Sequence, residues 1–120
     1  MDLNSALVAH VRWKVRLLTS VETGEVPDRQ TSCVDNCCDL GKWIHGEAER
    51  CIKDPGLFQR LRSSHAEFHS GLGPIIDALA SRHLDEAQRQ IHGPEFQART
   101  EAVVECLVLL KHQDDQGAKS

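Results

Sequence analysis

Apolar residues recur at the spacing of an α-helix along four stretches of this 120-residue chain, and this periodicity constrains the fold more than any other feature. The stripe of the first stretch consists of Leu3, Leu7, His10, Leu17 and Val21. The stretch 103–110 is apolar enough for a buried strand, but no other segment could pair with it, so a helix is the better interpretation. The pattern predicts an all-α fold: an antiparallel four-helix bundle with a short extra helical segment before the last helix.

Capping carboxylates, glycines and prolines predict where the helices begin and end. The predicted helices cover residues 3–23, 35–51, 55–79 and 84–91, and the last begins at 94. The second of them rests on Asp35 as its capping residue, and Pro74 should bend the third without ending it. We expect a single domain over residues 1–112, followed by a polar tail over residues 113–120.

Charge and composition exclude several classes of protein. The net charge of −4 and the sequence pI near 5.9 provide no basic surface for nucleic acid or an anionic membrane. No stretch approaches the roughly 20 apolar residues of a spanning helix, and charges interrupt the N-terminal segment, unlike a signal peptide. The five cysteines are an odd number, and four of them lie between residues 33 and 51. We therefore expect free thiols in a cytoplasmic protein, or thiolates held by a metal ion, rather than a disulfide scaffold.

Three histidines lie where the helical pattern predicts burial. His10 falls in the apolar stripe of the first helix, while His65 and His69 are four residues apart and project from the same side of the third. A hydrogen bond to a carbonyl would explain any one of them. Three together, beside a cysteine-rich segment, favour a shared cation, because one ion satisfies several buried ring nitrogens at once.

The fourth ligand is expected among Cys33, Cys37 and Cys38. Cys38 is best placed, because a residue in the first turn of the second helix would face unpaired backbone N–H groups that favour the thiolate. Cys51 and Cys106 are interpreted as small core residues. Three imidazoles and one thiolate form a tetrahedral set that suits Zn²⁺. The remaining histidines are assigned to the surface or to loops: His45, His83, His92 and His112.

Three short motifs carry these candidate ligands. In chain order they are His10-Val-Arg-Trp13, Cys38-Asp-Leu-Gly41-Lys-Trp43 and His65-Ala-Glu-Phe-His69. By their order and intervals they resemble the CZB family, the chemoreceptor zinc-binding domain of bacterial cytoplasmic sensory proteins. The resemblance implies a zinc ion held by His10, Cys38, His65 and His69. It also implies that Trp13, Gly41 and Trp43 pack around the site.

The resemblance further implies a function. Domains of this family act as zinc- or oxidant-responsive input modules of bacterial signalling, of the chemotaxis or cyclic-di-GMP type, and are typically dimers attached to chemoreceptors or diguanylate cyclases. We therefore expect a homodimer with a signalling protein as its partner, either free-standing or part of a longer protein. Cys37 and Cys33 are candidate redox partners of Cys38. The alternative is a helical adaptor or dimerisation module in which zinc is purely structural.

The same residues argue against an enzyme. In the zinc-protease motif HExxH a glutamate directly follows the first histidine, whereas Glu67 stands two residues after His65 and faces about 200° round the helix. Four protein ligands would also fill a tetrahedral zinc and leave no position for a reactive water. The inward faces lack the paired carboxylates of a di-iron bundle. We expect no catalytic residue in this chain.

Overall fold

The computed structural model describes the backbone of residues 1–119 and the side chains of residues 1–113. Within this part of the chain all regular structure is helical, which confirms the predicted class. The helices are α1 (Leu3–Val11), α2 (Trp13–Thr23), α3 (Arg29–Ser32), α4 (Asp39–Ile44), α5 (Ala48–Cys51), α6 (Pro55–Ala80), α7 (Leu84–Ile91) and α8 (Pro94–Lys119). Among the described helices, none is long and apolar enough to cross a membrane.

The long helices α6 and α8 run antiparallel along a bundle that measures 53 × 22 × 21 Å. Arg60 of α6 donates to Glu105 of α8, with Nη2 3.4 Å from Oε1, and the Arg99 side chain lies against Gly71. Residue numbers therefore fall along α8 as they rise along α6. α1 packs on α8, and α7 packs on both α2 and α6. α7 is the short extra segment predicted before the last helix.

The sequence of α6 explains its central position. Asp54 caps it by accepting hydrogen bonds from the N–H groups of Gly56 and Leu57, behind Pro55 in the first helical position. Its predicted stripe is buried throughout: Leu57, Leu61, Phe68, Leu72, Ile75 and Leu79. α6 continues through Pro74, as predicted. The predicted inward residues of α8 are also buried: Phe96, Val103, Leu107 and Leu110.

The predicted first helix is present as two helices, α1 and α2, that meet at Arg12. Helical hydrogen bonding continues across the junction, because Arg12 N–H donates to the Val8 carbonyl at 2.9 Å and the Arg12 carbonyl accepts from Arg16 at 3.0 Å. α2 is followed by Gly24, which has a φ of +80° and donates its N–H to the Ser20 carbonyl. The predicted end of this helical stretch is confirmed.

The prediction of a second helix from Asp35 to about Cys51 is wrong. That segment holds two short helices, α4 and α5, and the predicted loop before it contains α3. Asp35 does not cap a helix, because its carboxylate Oδ2 lies 3.0 Å from Nε2 of His45. α4 begins after Cys38, whose sulfur accepts from the N–H of Gly41 at 3.3 Å and takes the capping role. The contact between Asp35 and His45, which a continuous helix would hold apart, accompanies the loss of the predicted long helix.

The segment 113–120, predicted as a polar tail, begins inside α8, which extends to Lys119. The side chains from residue 114 onward, and Ser120 as a whole, lie outside the described residues. The domain boundary at residue 112 stays a prediction.

Candidate metal centre

Four side chains from three parts of the fold converge inside the bundle. His10 of α1, Cys38 before α4, and His65 and His69 of α6 each offer one donor atom, and these atoms all lie within 4.8 Å of one another. The Cys38 Sγ is 3.2 Å from Nε2 of His65 and 3.6 Å from Nε2 of His69. The imidazoles are buried and the cysteine is half-buried. The structure thus brings together the four residues predicted as ligands.

His10 has one ring nitrogen available because its own helix engages the other. Nδ1 donates to the Ala6 carbonyl, one turn earlier, at 2.7 Å. Nε2 is buried and has no hydrogen-bond partner among the described residues. A buried polar atom without a partner costs about 1–3 kcal/mol, and a cation bound to this nitrogen would remove that cost. The donor set therefore fits a metal ion.

α6 contributes two histidines because residues four apart project from the same side of a helix. The ring of His69 is oriented by α3: its Nδ1 donates to the Ser32 carbonyl at 2.8 Å, and its Nε2 faces Cys38. Such an acceptor sets the tautomer of a metal-binding histidine. Nδ1 of His65 is buried without a partner among the described residues. Ser32 was not predicted as part of the site, because its contribution is a backbone carbonyl, which no local sequence signal marks.

The environment of Cys38 differs from the prediction. Burial raises the pKa of its thiol, and the backbone N–H groups of Gly41 and Leu40 lower it by less. The net shift of the pKa is upward, so without a cation the residue is a thiol. The backbone N–H groups favour the thiolate, as predicted, but burial outweighs their contribution.

Burial also keeps the three imidazoles neutral. It lowers the pKa of His65 to about 3, with smaller contributions from the neighbouring His69 and His10. It is likewise the main cause of the lowered pKa of His10 and of His69. A neutral imidazole is the form that binds a metal ion. The arrangement therefore holds three nitrogen donors ready for coordination.

We expect metal-free protein to lose stability as the pH falls below 6.5. The imidazoles bind protons more weakly in the folded than in the unfolded chain. Their contribution to the free energy of unfolding is therefore complete above pH 6.5 and, for His65, declines as the pH falls toward about 3. His65 alone accounts for up to about 1.4 kcal/mol per pH unit in that window, and His10 and His69 act in the same direction. Thermal unfolding in chelator between about pH 8 and pH 5, before carboxylates titrate, should show a falling midpoint. A constant midpoint would contradict buried, neutral imidazoles.

The aromatic side chain of Phe68 borders the cluster. Trp13 is buried and Trp43 is half-buried, and their roles in shielding the site stay predictions. The ring centroid of Phe68 lies 5.3 Å from those of both His10 and His69. From the sequence, Phe68 was predicted only as a core residue. Its place in the sequence between the two candidate ligands of α6 was a signal that it also borders the site.

Gly41 is the point at which the loop before α4 meets that helix. A Cβ on Gly41 would lie 1.9 Å from the Asp35 carbonyl oxygen and 2.8 Å from its carbon. Only glycine therefore permits this contact. The close approach at Gly41 is made by the loop backbone at Asp35, and the packing of Gly41 around the site stays a prediction. Asp35 also bonds to His45, which is exposed as predicted.

The cysteines outside the cluster differ in exposure. All five cysteines are free. Cys33 is half-buried and Cys37 is exposed, and neither belongs to the donor cluster. Cys106 is buried as predicted. Cys51 is exposed, which contradicts its assignment to the core, because the long helix that would have buried it is replaced by the short α5.

The fold and the cluster together define a helical domain with a candidate metal site of three histidines and one cysteine. The model of the chemoreceptor zinc-binding domain family, CZB, matches residues 10–76, which is more than half of the chain and includes all four candidate ligands. The chain belongs to this family of sensory zinc-binding domains. No curated protein and no solved structure matches it.

Proposed function

We propose that this chain is a regulatory domain that responds to zinc or to oxidants through a zinc site formed by His10, Cys38, His65 and His69. The supporting observation is the convergence of one thiol and three neutral, buried imidazoles within 4.8 Å. Thiolate and imidazole donors in a tetrahedral set are the ligands that Zn²⁺ prefers. When bound, the ion would supply the positive charge that favours the thiolate of Cys38 and keeps the four donors together.

The cluster joins segments that are distant in sequence, so loss of one donor would change how these segments are held together. Cys38 stands at the start of α4 and is the one member of the cluster from that segment. If its sulfur stops acting as a ligand, the start of α4 loses its connection to α1 and α6 at this site. We propose that zinc loss or oxidation thereby frees residues 36–44 and changes an interface with another protein.

An oxidative response would begin at the half-buried sulfur of Cys38. Hydrogen peroxide would transfer one oxygen atom to the thiolate, which gives a sulfenic acid and releases hydroxide. A second thiol, from Cys37 or Cys33, would then displace that oxygen as water and form a disulfide. Cys33 is the better candidate, because two adjacent residues rarely meet the geometric requirements of a disulfide.

We propose that the site is not catalytic. Glu67 is exposed on α6, so this carboxylate is not placed to activate water beside the cluster. The four donors would also complete a tetrahedral coordination shell. The output of the domain would then lie on a cytoplasmic signalling protein, of a chemoreceptor or diguanylate cyclase system.

An exposed apolar stripe supports self-association into a homodimer. Val8, Val11 and Val15 recur at helical spacing on α1 and α2, and 48%, 46% and 63% of their surfaces are exposed. This stripe was not predicted from the sequence, because its members alternate with the residues that form the core. The stripe also favours the second candidate function, an adaptor or dimerisation module in which zinc only joins the helices.

Amide hydrogen exchange of zinc-loaded, chelated and peroxide-treated protein tests the regulatory mechanism. We expect residues 36–44 to exchange at least about tenfold faster after chelation or oxidation, because the start of α4 loses its anchor. The middle of α8, remote from Cys38 in sequence, should change little and serves as the internal control. Unchanged exchange over residues 36–44 would rule the mechanism out.

The oligomeric state of the same three samples separates the two candidate functions. A regulatory domain should change its self-association or partner binding with metal content or oxidation, whereas a purely structural zinc site should leave both unchanged. Analytical ultracentrifugation measures the first of these. Val15→Glu places a charge on the exposed stripe and should weaken the dimer in either case.

A further inference from the structure

We propose that Arg29 and Asp77 form a latch that holds α3 on α6 and thereby slows release of the metal ion. The inference rests on the proposed zinc site, but it concerns two residues that offer no donor atom to that site. Its consequence is that the lifetime of the bound metal is set partly by an exposed ion pair outside the cluster.

The ion pair has a specific geometry. Nε of Arg29 lies 2.8 Å from Oδ1 of Asp77, and Nη2 lies 3.3 Å from Oδ2. Two parallel hydrogen bonds orient a guanidinium more strongly than a single charged contact does. The guanidinium lies against α6 at Gly73, where a Cβ would be 3.3 Å from Nη2.

α3 links this ion pair to the metal cluster. The helix is a single turn that packs on α6 and is capped by Asp28, which accepts from the N–H of Gln30. Arg29 is its first residue, and Ser32 is its last. The Ser32 carbonyl is the acceptor for Nδ1 of His69. The ion pair and the group that orients a candidate ligand therefore stand at opposite ends of one helical turn.

Opening of the latch would affect two ligands. If α3 leaves α6, the ring of His69 loses the acceptor that directs its Nε2 toward the cluster. Loss of such an outer hydrogen bond weakens metal binding. The chain also runs from α3 through residues 33–37 into Cys38, so displacement of α3 removes a restraint on the sulfur as well.

Transfer of zinc to a chromogenic chelator measures the effect on metal release. Arg29→Ala and Asp77→Ala should each release zinc about three- to fivefold faster than the unmodified protein, the factor expected for an exposed ion pair of good geometry. The double variant should release zinc no faster than either single variant, because both changes remove the same interaction.

Arg60→Ala is the matched control. The Arg60–Glu105 pair is as exposed as the latch, with 57% and 65% of the side chains accessible against 59% and 57%, but it joins α6 to α8. Its loss should leave the rate of zinc release unchanged. An equal acceleration in this variant would overturn the latch, because it would show a general effect of surface charge.

Alkylation of Cys33 in metal-free protein tests whether the ion pair keeps α3 packed on α6, because this measurement does not depend on zinc. The Cys33 sulfur is half-buried and lies 3.8 Å from the position of a Cβ on Gly73. The Arg29 charge lowers the pKa of the Cys33 thiol and the Asp77 charge raises it, so the variant to compare is the double one, which removes both charges. It should be labelled at Cys33 about three- to fivefold faster than the unmodified protein. Labelling of the exposed Cys51, resolved by peptide mass spectrometry, should not change.

The outcomes distinguish the latch from the zinc site. Zinc release from Arg29→Ala at the unmodified rate would overturn the latch, whatever the labelling of Cys33. If the unmodified protein bound no zinc, the proposed function would fail instead, and the labelling of Cys33 would still decide whether the ion pair holds α3.

Discussion

Cys38→Ser should strongly lower the zinc content of a protein that otherwise carries about one zinc ion per chain. Serine retains the ability to cap α4, but its hydroxyl does not supply the anionic sulfur that binds the ion. Removal of an outer hydrogen bond to a ligand weakens metal binding about 10–100-fold, so removal of a ligand should lower the affinity by at least about 100-fold. Elemental analysis by mass spectrometry, on protein purified without added metal, gives the ratio of zinc to chain.

Exposed residues of the same types provide the controls. Cys51→Ser makes the identical chemical change at an exposed position and should retain zinc. His69→Ala should lose zinc, whereas His92→Ala, at the exposed end of α7, should keep it. A protein that loses bound zinc, where the free ion stands at about 1,000 times its Kd, loses about 4 kcal/mol of stability. The unfolding midpoint should therefore fall with the zinc content. Equal zinc in Cys38→Ser and Cys51→Ser would contradict the ligand set.

Gly41→Ala should lower the free energy of unfolding by about 3 kcal/mol or more. The added Cβ would lie 1.9 Å from the Asp35 carbonyl oxygen and 3.1 Å from Cα of Asn36. Both are backbone atoms, so no change of rotamer relieves the clash and the loop must move. The N–H of Gly41 donates to the Cys38 sulfur, so we expect zinc affinity to fall with stability. Chemical denaturation and competition with a chelator measure the two quantities.

Gly56→Ala is the control for this substitution. A Cβ on Gly56 would meet only Asp54 Oδ1 within 4 Å, at 3.3 Å. Alanine is about 1 kcal/mol more favourable than glycine inside a helix, so this variant should be neutral or slightly stabilised, with unchanged zinc affinity. If Gly41→Ala behaved in the same way, the tight contact between Gly41 and the Asp35 backbone would not be part of the folded protein.

α6 could be predicted because its signals are local and agree with one another. Asp54 and Pro55 mark its start, and its apolar residues form one stripe along 26 residues. A helix of that length with one apolar face buries it in the core. The same geometry places His65 and His69 on one side, so their proximity follows from the spacing alone.

The segment before α6 could not be predicted, because its conformation depends on contacts between residues of the segment that an α-helix does not bring together. Asp35 has the chemistry of a helix cap, but its carboxylate pairs with His45 and its carbonyl packs against Gly41. These contacts leave the capping role to Cys38. The exposure of Cys51 follows from the same change, since no long helix remains to bury it. Local propensity is a weak preference that tertiary contacts override here.

The amino-acid sequence by itself determined the all-helical class and the set of residues with the chemistry of a zinc site. Both follow from side-chain type and spacing, which are local properties. The tertiary structure alone decided that the Ser32 carbonyl orients His69, that burial raises the pKa of the Cys38 thiol, and that Arg29 reaches Asp77, 48 residues away. These features depend on distances between remote segments and on how far each group is removed from water, which local spacing does not specify.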